Sequence, residues 1–258
     1  ITYGNNKFSP FLRQYESLSN FWFKEDKSTT FKQEDITGFC SDIYHFNTLS
    51  KDSVTSKIIE RDNKKIGYIS MSIFASNTYS QFSSQLSKLE EEGFDTLIID
   101  LRGNTGGHLT EVTKIISLFL DKRHVIYQLQ KDDNKVKYYS TGNEDKTYPI
   151  IFLGNELTAS ASEVFIISLK ENLDAKLVGM KTYGKGTVQE LVNLKNGDQY
   201  KITTKKWLSP KGNWINDTKG IKPDVEVKLS DKYVNKPTEE NDNQLESAIK
   251  LALDNQNE

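Results

Sequence analysis

The chain has 258 residues, of which 36% are hydrophobic and 27% charged, a balance typical of a globular protein. Its formal net charge of −2 argues against a polyanion-binding surface, and therefore against nucleic acid as a partner. The single cysteine, Cys40, excludes an intramolecular disulfide and any multi-cysteine metal site, and no apolar run approaches the roughly 18 residues that a membrane-spanning helix needs.

Predicted strands and helices alternate from about residue 57 onward. The first pair of strands is a hairpin over 57–73 that turns at Asp62 and Asn63. The later predicted strands are 96–101, 124–130, 135–140, 149–153, 187–194 and 199–207. The helices between them carry core-facing stripes at Phe82/Leu86/Leu89, Val112/Ile115/Ile116/Phe119/Leu120, Ala161/Val164/Phe165/Ser168/Leu169 and, at the end, Leu245/Ile249/Ala252. Strands separated by crossover helices predict an α/β fold with a mixed, largely parallel sheet.

The first 50 or so residues differ from the rest. They are rich in Phe, Tyr, Ser, Asn and Lys, and they show no clear helical or strand period. The predicted organisation is a small N-terminal segment over 1–52 and a core over 53–258.

A candidate nucleophile lies in the stretch 149–163, PIIFLGNELTASASE. A buried strand, a polar loop and small residues that open a helix are the layout in which α/β folds expose a nucleophile to backbone N–H donors. Ser160, flanked by Ala159 and Ala161, is the candidate. The alternative is that Thr158, Ser160 and Ser162 only cap the helix.

A serine nucleophile needs a base, and the chain offers two kinds. The three histidines are His45, His108 and His124, and none has a triad-like context, although His108 follows a glycine pair. Lys185, in TYGKGTVQ, can serve if burial lowers its pKa from about 10.4 towards neutrality. Gln189 is expected to share a strand face with Lys185 and to orient its amine.

A glycine-rich stretch over 100–107, DLRGNTGG, follows the buried strand at 96–101. Glycines at the carboxyl end of a parallel strand let the backbone approach a ligand and donate N–H groups. With the N–H of Ala161, such donors could form an oxyanion hole. The spacing fits neither a P-loop nor a dinucleotide fingerprint.

Together, DLRGNTGG, TASASE and VGMKTYGKGTVQ resemble the signature blocks of the carboxy-terminal processing (tail-specific) proteases, in the same order. The resemblance extends to the stretch 209–227 and to the closing helix over 242–253. It implies Ser160 as nucleophile, Lys185 as general base, Gln189 as its support, and an oxyanion hole from Ala161 with Gly106 or Gly107.

The resemblance also implies a crotonase-like (ClpP/crotonase) spiral core and a peptidase without metal or organic cofactor. The implied partners are unstructured protein tails with apolar C-terminal residues. An extracytoplasmic bacterial location is implied as well, with membrane proximity through a segment outside this sequence, while the oligomeric state stays open.

Relatives usually carry a PDZ module just before the core. Here Gly38-Phe39 only weakly resembles the carboxylate-binding loop of that module. The N-terminal segment is therefore interpreted as a reduced or truncated PDZ or helical region. Two rival hypotheses remain: a catalytically silent peptide-binding protein, and a hydrolase that pairs Ser160 with His45 or His108.

Overall fold

The computed structural model describes residues 52–193 and 199–254. Nearly all of the predicted N-terminal segment, with Gly38-Phe39, Cys40 and His45, lies outside the described residues. The order of elements is β1 (Val54–Arg61), β2 (Lys64–Met71), α1 (Thr78–Glu92), β3 (Thr96–Asp100), α2 (Leu109–Ile116), β4 (Val125–Lys131), β5 (Asn134–Tyr139), β6 (Ile150–Gly154), α3 (Ala161–Leu173), β7 (Lys176–Gly179), β8 (Thr187–Asn193), β9 (Gln199–Leu208), β10 (Val225–Glu226), α4 (Asp231–Asn235) and α5 (Asn243–Asp254).

Among the described residues, the larger sheet has six strands in the order β1-β2-β3-β6-β7-β10. Only the β1–β2 pairing is antiparallel, and its turn uses Asp62 (φ 50°) and Asn63 (φ 61°), as a two-residue hairpin loop requires. The other four pairings are parallel. The prediction of an α/β fold with a largely parallel sheet is confirmed, and so is the hairpin.

The second sheet differs from the prediction. Strands β5, β4, β9 and β8 form a separate four-stranded sheet, and all of its pairings are antiparallel. Strands β4 and β5 are separated by only two residues, 132 and 133, a short connection that antiparallel strands allow.

Two local expectations were also wrong or incomplete. Helix α2 ends at Ile116, so Phe119 and Leu120 lie in the turns that follow, where both are fully buried. The four-residue strand β7 was not predicted at all.

The larger sheet separates two hydrophobic clusters. The first fills the side of α1, α2 and α3, and includes Phe82, Ile115, Phe152 and Phe165. The second lies under α5 and contains Ile66, Ile98, Ile151, Leu153, Val178, Leu245, Ala248 and Ile249. Within the described residues, no helix is both long enough and apolar enough to cross a membrane.

One buried hydroxyl group in α3 is expected to lower the stability of the protein. Among the described residues, Ser168 Oγ is buried without a hydrogen-bond partner. A buried polar group without a partner costs free energy, so Ser168→Ala should raise the free energy of unfolding by about 1 kcal/mol. Urea denaturation of both proteins measures the difference, and a loss of stability would contradict it.

Candidate active site

Ser160 lies at the turn between β6 and α3, in the N-cap position of the helix. Its backbone has φ 58° and ψ −118°, a conformation that residues other than glycine rarely adopt. Its two polar neighbours have structural partners: Thr158 Oγ1 donates to the carbonyl of Leu101 at 2.9 Å, and Ser162 Oγ donates to the carbonyl of Asn104 at 3.0 Å. The strained turn singles out the half-buried Ser160 among the three.

The Glu163 carboxylate joins the segments that carry Ser160 and Lys185. Its Oε2 accepts the backbone N–H groups of both residues at 2.8 Å. Its Oε1 accepts the Thr182 hydroxyl and the Gly184 N–H, each at 2.6 Å. Burial raises the pKa of Glu163, although these four hydrogen bonds oppose the shift. One buried carboxylate therefore fixes the backbone of both candidate residues, a role that the sequence did not predict.

Lys185 lies in the loop between β7 and β8, and its side chain is half-buried. Burial lowers the pKa of its amine, and the positive charge of Lys201 lowers it further, whereas the negative charge of Glu163 opposes both. The Lys185 carbonyl accepts the indole N–H of Trp207 at 2.7 Å, which attaches the loop to β9. The shift favours a neutral amine, the form that accepts a proton.

The strand-face argument for Gln189 requires Lys185 to lie in the same strand, but Lys185 lies outside it. Strand β8 begins at Thr187, after Lys185, and its register shifts between Val188 and Gln189. The extra residue in this pairing, Thr204, belongs to β9, so β8 keeps its alternation of faces from Thr187 to Gln189. Gln189 is exposed and opposite Thr203 of β9.

The glycine-rich loop approaches Ser160 closely. A Cβ on Gly106 would lie 2.9 Å from both Ser160 Cβ and Ala161 N, and a Cβ on Gly107 would overlap the carbonyl of Phe74. Both glycines have positive φ, at 102° and 144°. The Gly106 N–H donates to Asn104 Oδ1 at 3.0 Å, whereas within the described residues no acceptor takes the N–H of Gly107 or of Ala161.

Arg102, at the root of this loop, binds two carboxylates. Its guanidinium donates to both oxygens of Asp100, with the shortest distance 2.6 Å, and to both oxygens of Asp242, at 2.9 and 2.8 Å. It also donates to Gln244 Oε1 at 3.2 Å, and Tyr68 Oη donates to Asp100 Oδ2 at 2.8 Å. Burial alone would lower the pKa of Arg102, but the hydrogen bonds that it donates to the two carboxylates raise it well above its usual range. No pattern in the sequence indicates the contact with Asp242.

The described histidines have other surroundings. His108 is exposed at the N-cap of α2, and its backbone N–H donates to the Phe74 carbonyl. His124 lies between Asn172, at 3.2 Å from Nδ1, and Asp145, at 3.1 Å from Nε2. It is one of three potential metal ligands that come together, with Asp145 and Asp121, but Arg123 forms ion pairs with both aspartates. We interpret this cluster as an ion-pair network.

This α/β core, with its arrangement of Ser160, Glu163 and Lys185, indicates a serine-type peptidase. The chain belongs to one family of that class: the model of peptidase family S41 matches residues 65–227.

Individual relatives agree with this assignment. The chain is 36% identical over 192 residues to the carboxy-terminal processing protease CtpB of Bacillus subtilis, covering 74% of this chain and 39% of CtpB. It is 36% identical over 183 residues to a CtpA-like serine protease of Staphylococcus epidermidis, covering 69% of this chain and 37% of that protein. The chain thus spans less than two-fifths of the length of these relatives.

Solved structures show the same fold. A photosystem II D1 C-terminal processing protease matches with a TM-score of 0.64 and 26% identity, over 70% of this chain and 49% of that one. A lipoprotein from Streptococcus agalactiae matches with a TM-score of 0.59 and 23% identity, over 72% and 69% of the two chains.

Proposed function

We propose that this chain carries the catalytic core of a serine endopeptidase of the carboxy-terminal processing type. The observation that supports it most is the Glu163 carboxylate, which ties the strained backbone of Ser160 to the backbone of Lys185. The carboxylate holds the two backbones together, and reacting groups carried on segments joined in this way lose less entropy when they align. Membership of family S41 agrees with this chemistry.

The proposed reaction is acyl transfer by a serine–lysine dyad. The neutral amine of Lys185 takes the proton of Ser160 Oγ as Oγ bonds to the peptide carbonyl carbon. The lysine ammonium then gives that proton to the leaving nitrogen as the C–N bond breaks, which leaves an acyl ester on Ser160. Water, deprotonated by the same amine, hydrolyses the ester and restores Ser160.

We assign the oxyanion hole to the N–H groups of Ala161 and Gly107. Gly106 and Gly107 were equal candidates by sequence, and one contact favours Gly107. The Gly106 N–H already donates to Asn104 Oδ1, whereas within the described residues no acceptor takes the Gly107 N–H. The Ala161 N–H is at the N-terminus of α3, where the helix dipole also favours an oxyanion.

The finer features of the proposal come from the family resemblance. They are a crotonase-like spiral core, a supporting role for Gln189, cleavage near apolar C-terminal residues of unstructured proteins, and an extracytoplasmic location in a bacterium. The division into a segment over 1–52 and a peptidase core over 53–258 is proposed on the same resemblance. These features define which substrates to try first.

A fluorophosphonate probe and an unstructured polypeptide test the proposal together. We expect the probe to form an adduct on the tryptic peptide that contains Ser160, and cleavage of the polypeptide to stop as the adduct forms. Protein unfolded in urea, the control, should not react. A folded chain that binds the polypeptide but neither cleaves it nor reacts would favour a silent peptide-binding protein.

Glu163→Gln should lower kcat/KM about 100-fold, because an amide has one acceptor oxygen where the carboxylate has two. The amide NH₂ would face two donors, either the Ser160 and Lys185 N–H groups or the Thr182 hydroxyl and Gly184 N–H. Misplacement of reacting groups by about 1 Å has an effect of this size. The pH dependence should change too: loss of a negative charge lowers the pKa of Lys185 further, so the acidic limb of the rate profile moves to lower pH.

Val164→Ala is the matched control for Glu163→Gln. Val164 is the next residue of α3, is buried in the core, and has no hydrogen bond to the dyad segments through its side chain. We expect it to lower stability with little change in kcat/KM. An equal loss of kcat/KM in both variants would assign Glu163 to stability alone.

A further inference from the structure

We propose that Asp242, at the start of the C-terminal helix α5, is a positioning residue for the glycine-rich loop, and that it acts through Arg102. This proposal rests on the proposed function, because it concerns the loop assigned to the oxyanion hole. Asp242 is 140 residues from Arg102 in sequence, and it touches neither Ser160 nor Lys185 in the described hydrogen bonds.

The contact between Asp242 and Arg102 is buried and specific. Their side chains are 5% and 12% exposed, and the two N–H groups of the guanidinium meet the two carboxylate oxygens in a bidentate pair. Asp100 binds the other edge of the same guanidinium, so Arg102 is held from two sides. Removing one partner of such a pair leaves a buried charge incompletely compensated.

Arg102 is at the root of the loop that follows β3. At its far end the loop is held by backbone hydrogen bonds, since the Gly106 carbonyl accepts the Phe74 N–H at 2.9 Å. Near its root, side chains hold it, including Asn155, which accepts the Gly103 N–H at 2.9 Å. Arg102 supplies the link from this loop to α5, which packs across the second hydrophobic cluster. If the Arg102 guanidinium lost its contact with Asp242, the loop would be free to shift away from Ser160. The distance from the Gly107 N–H to the reacting oxygen would then increase.

A second anchor limits the size of the effect. Asn104 donates to the Met71 carbonyl, and its own carbonyl accepts the Ala159 N–H and the Ser162 hydroxyl. This anchor persists when Asp242 is changed. We therefore expect a loss of about 10-fold in kcat, less than the 10²–10³-fold typical of removing an oxyanion-hole donor.

Asp242→Asn isolates the contact with Arg102 from the helix cap. Asp242 Oδ1 also accepts the Leu245 N–H at 3.0 Å, and asparagine caps a helix as well as aspartate does. In the variant, the remaining oxygen keeps the cap, whereas the new NH₂ group faces the Arg102 Nη2 donor. The cap survives and half of the bidentate pair is lost.

The test measures kcat, KM and amide exchange for the wild type, Asp242→Asn, Arg102→Gln and the double variant. Ile249→Ala is the matched control, because Ile249 is a buried residue of α5 with no role in the Arg102 network. For Asp242→Asn we expect kcat to fall about 10-fold with KM changed less than about 2-fold, and faster exchange at residues 103–107. In the Arg102→Gln background the same change should have almost no additional effect.

Two results would overturn the proposal. One is an equal fall of kcat in Ile249→Ala; the other is an Asp242→Asn effect that adds in full to that of Arg102→Gln. If the wild type neither cleaves nor reacts with the fluorophosphonate, the proposed function fails, but exchange at residues 103–107 still decides the role of Asp242. Unchanged exchange in Asp242→Asn would then reject it.

Discussion

Ser160→Ala should abolish cleavage of an unstructured polypeptide, with kcat/KM lower by about 10⁴-fold or more, while the fold and substrate binding persist. Loss of the nucleophile removes the covalent route, and only the residual rate from binding and the oxyanion hole remains. The substitution also removes a hydroxyl from a strained turn without changing its backbone partners, because Glu163 accepts the backbone N–H of residue 160. Kinetics of polypeptide cleavage, with circular dichroism of both proteins, measure the two effects.

Ser168→Ala is the natural control, since it removes a hydroxyl from the same helix. Ser168 lies two helical turns from Ser160, its hydroxyl has no partner among the described residues, and it should keep full activity. Cleavage that survives in Ser160→Ala would contradict the nucleophile assignment. Loss of cleavage in Ser160→Ala together with an equally large loss in His108→Ala would favour the rival that pairs Ser160 with His108.

Much of the fold could be predicted because hydrophobic periodicity is local. The stripes of α1 and α3, the all-buried strands β3 and β6, and the Asp62-Asn63 turn are each visible within a window of about 15 residues. Strand β7 was missed because four residues, KLVG, are too few to show a period. The second sheet was misjudged because the pairing of β4 with β9 joins segments that are far apart in sequence.

In the candidate site, too, short sequence patterns reveal some residues, whereas contacts between distant segments are visible only in the structure. Ser160, Lys185 and the glycine-rich loop are recognisable because each occurs in a short pattern of small residues with a chemical reason. The Glu163 carboxylate was visible as part of a motif, but its contacts with Gly184 and Lys185 arise only when the β7–β8 loop folds over α3. No short sequence pattern predicts the contact of Arg102 with Asp242, because this contact depends on where α5 packs against the sheet.

Lys185→Met should lower kcat/KM about 10³-fold, because methionine retains the apolar stem and has no amine to take the Ser160 proton. For the wild type, kcat/KM should rise with pH in proportion to the neutral fraction of Lys185 and then reach a plateau. Burial and the Lys201 charge lower the pKa of this amine, so the plateau should begin at a lower pH than an ordinary lysine would give. Lys185→Arg should be inactive at every pH, since arginine stays protonated in proteins.

Lys181→Met separates the base from general charge effects. Lys181 is an exposed lysine in the same loop, so its removal changes the net charge equally but leaves the amine of Lys185 in place. We expect this variant to keep kcat/KM within about 2-fold and to retain the pH profile. A wild-type profile that shows no rise at any pH up to the ordinary lysine pKa of about 10.4 would reject Lys185 as the base, since the neutral fraction of a lysine with a lowered pKa must increase below that pH. A flat profile with intact cleavage would leave Ser160 as nucleophile and require a different proton acceptor, whereas a rising profile that Lys185→Met eliminates is specific to the dyad.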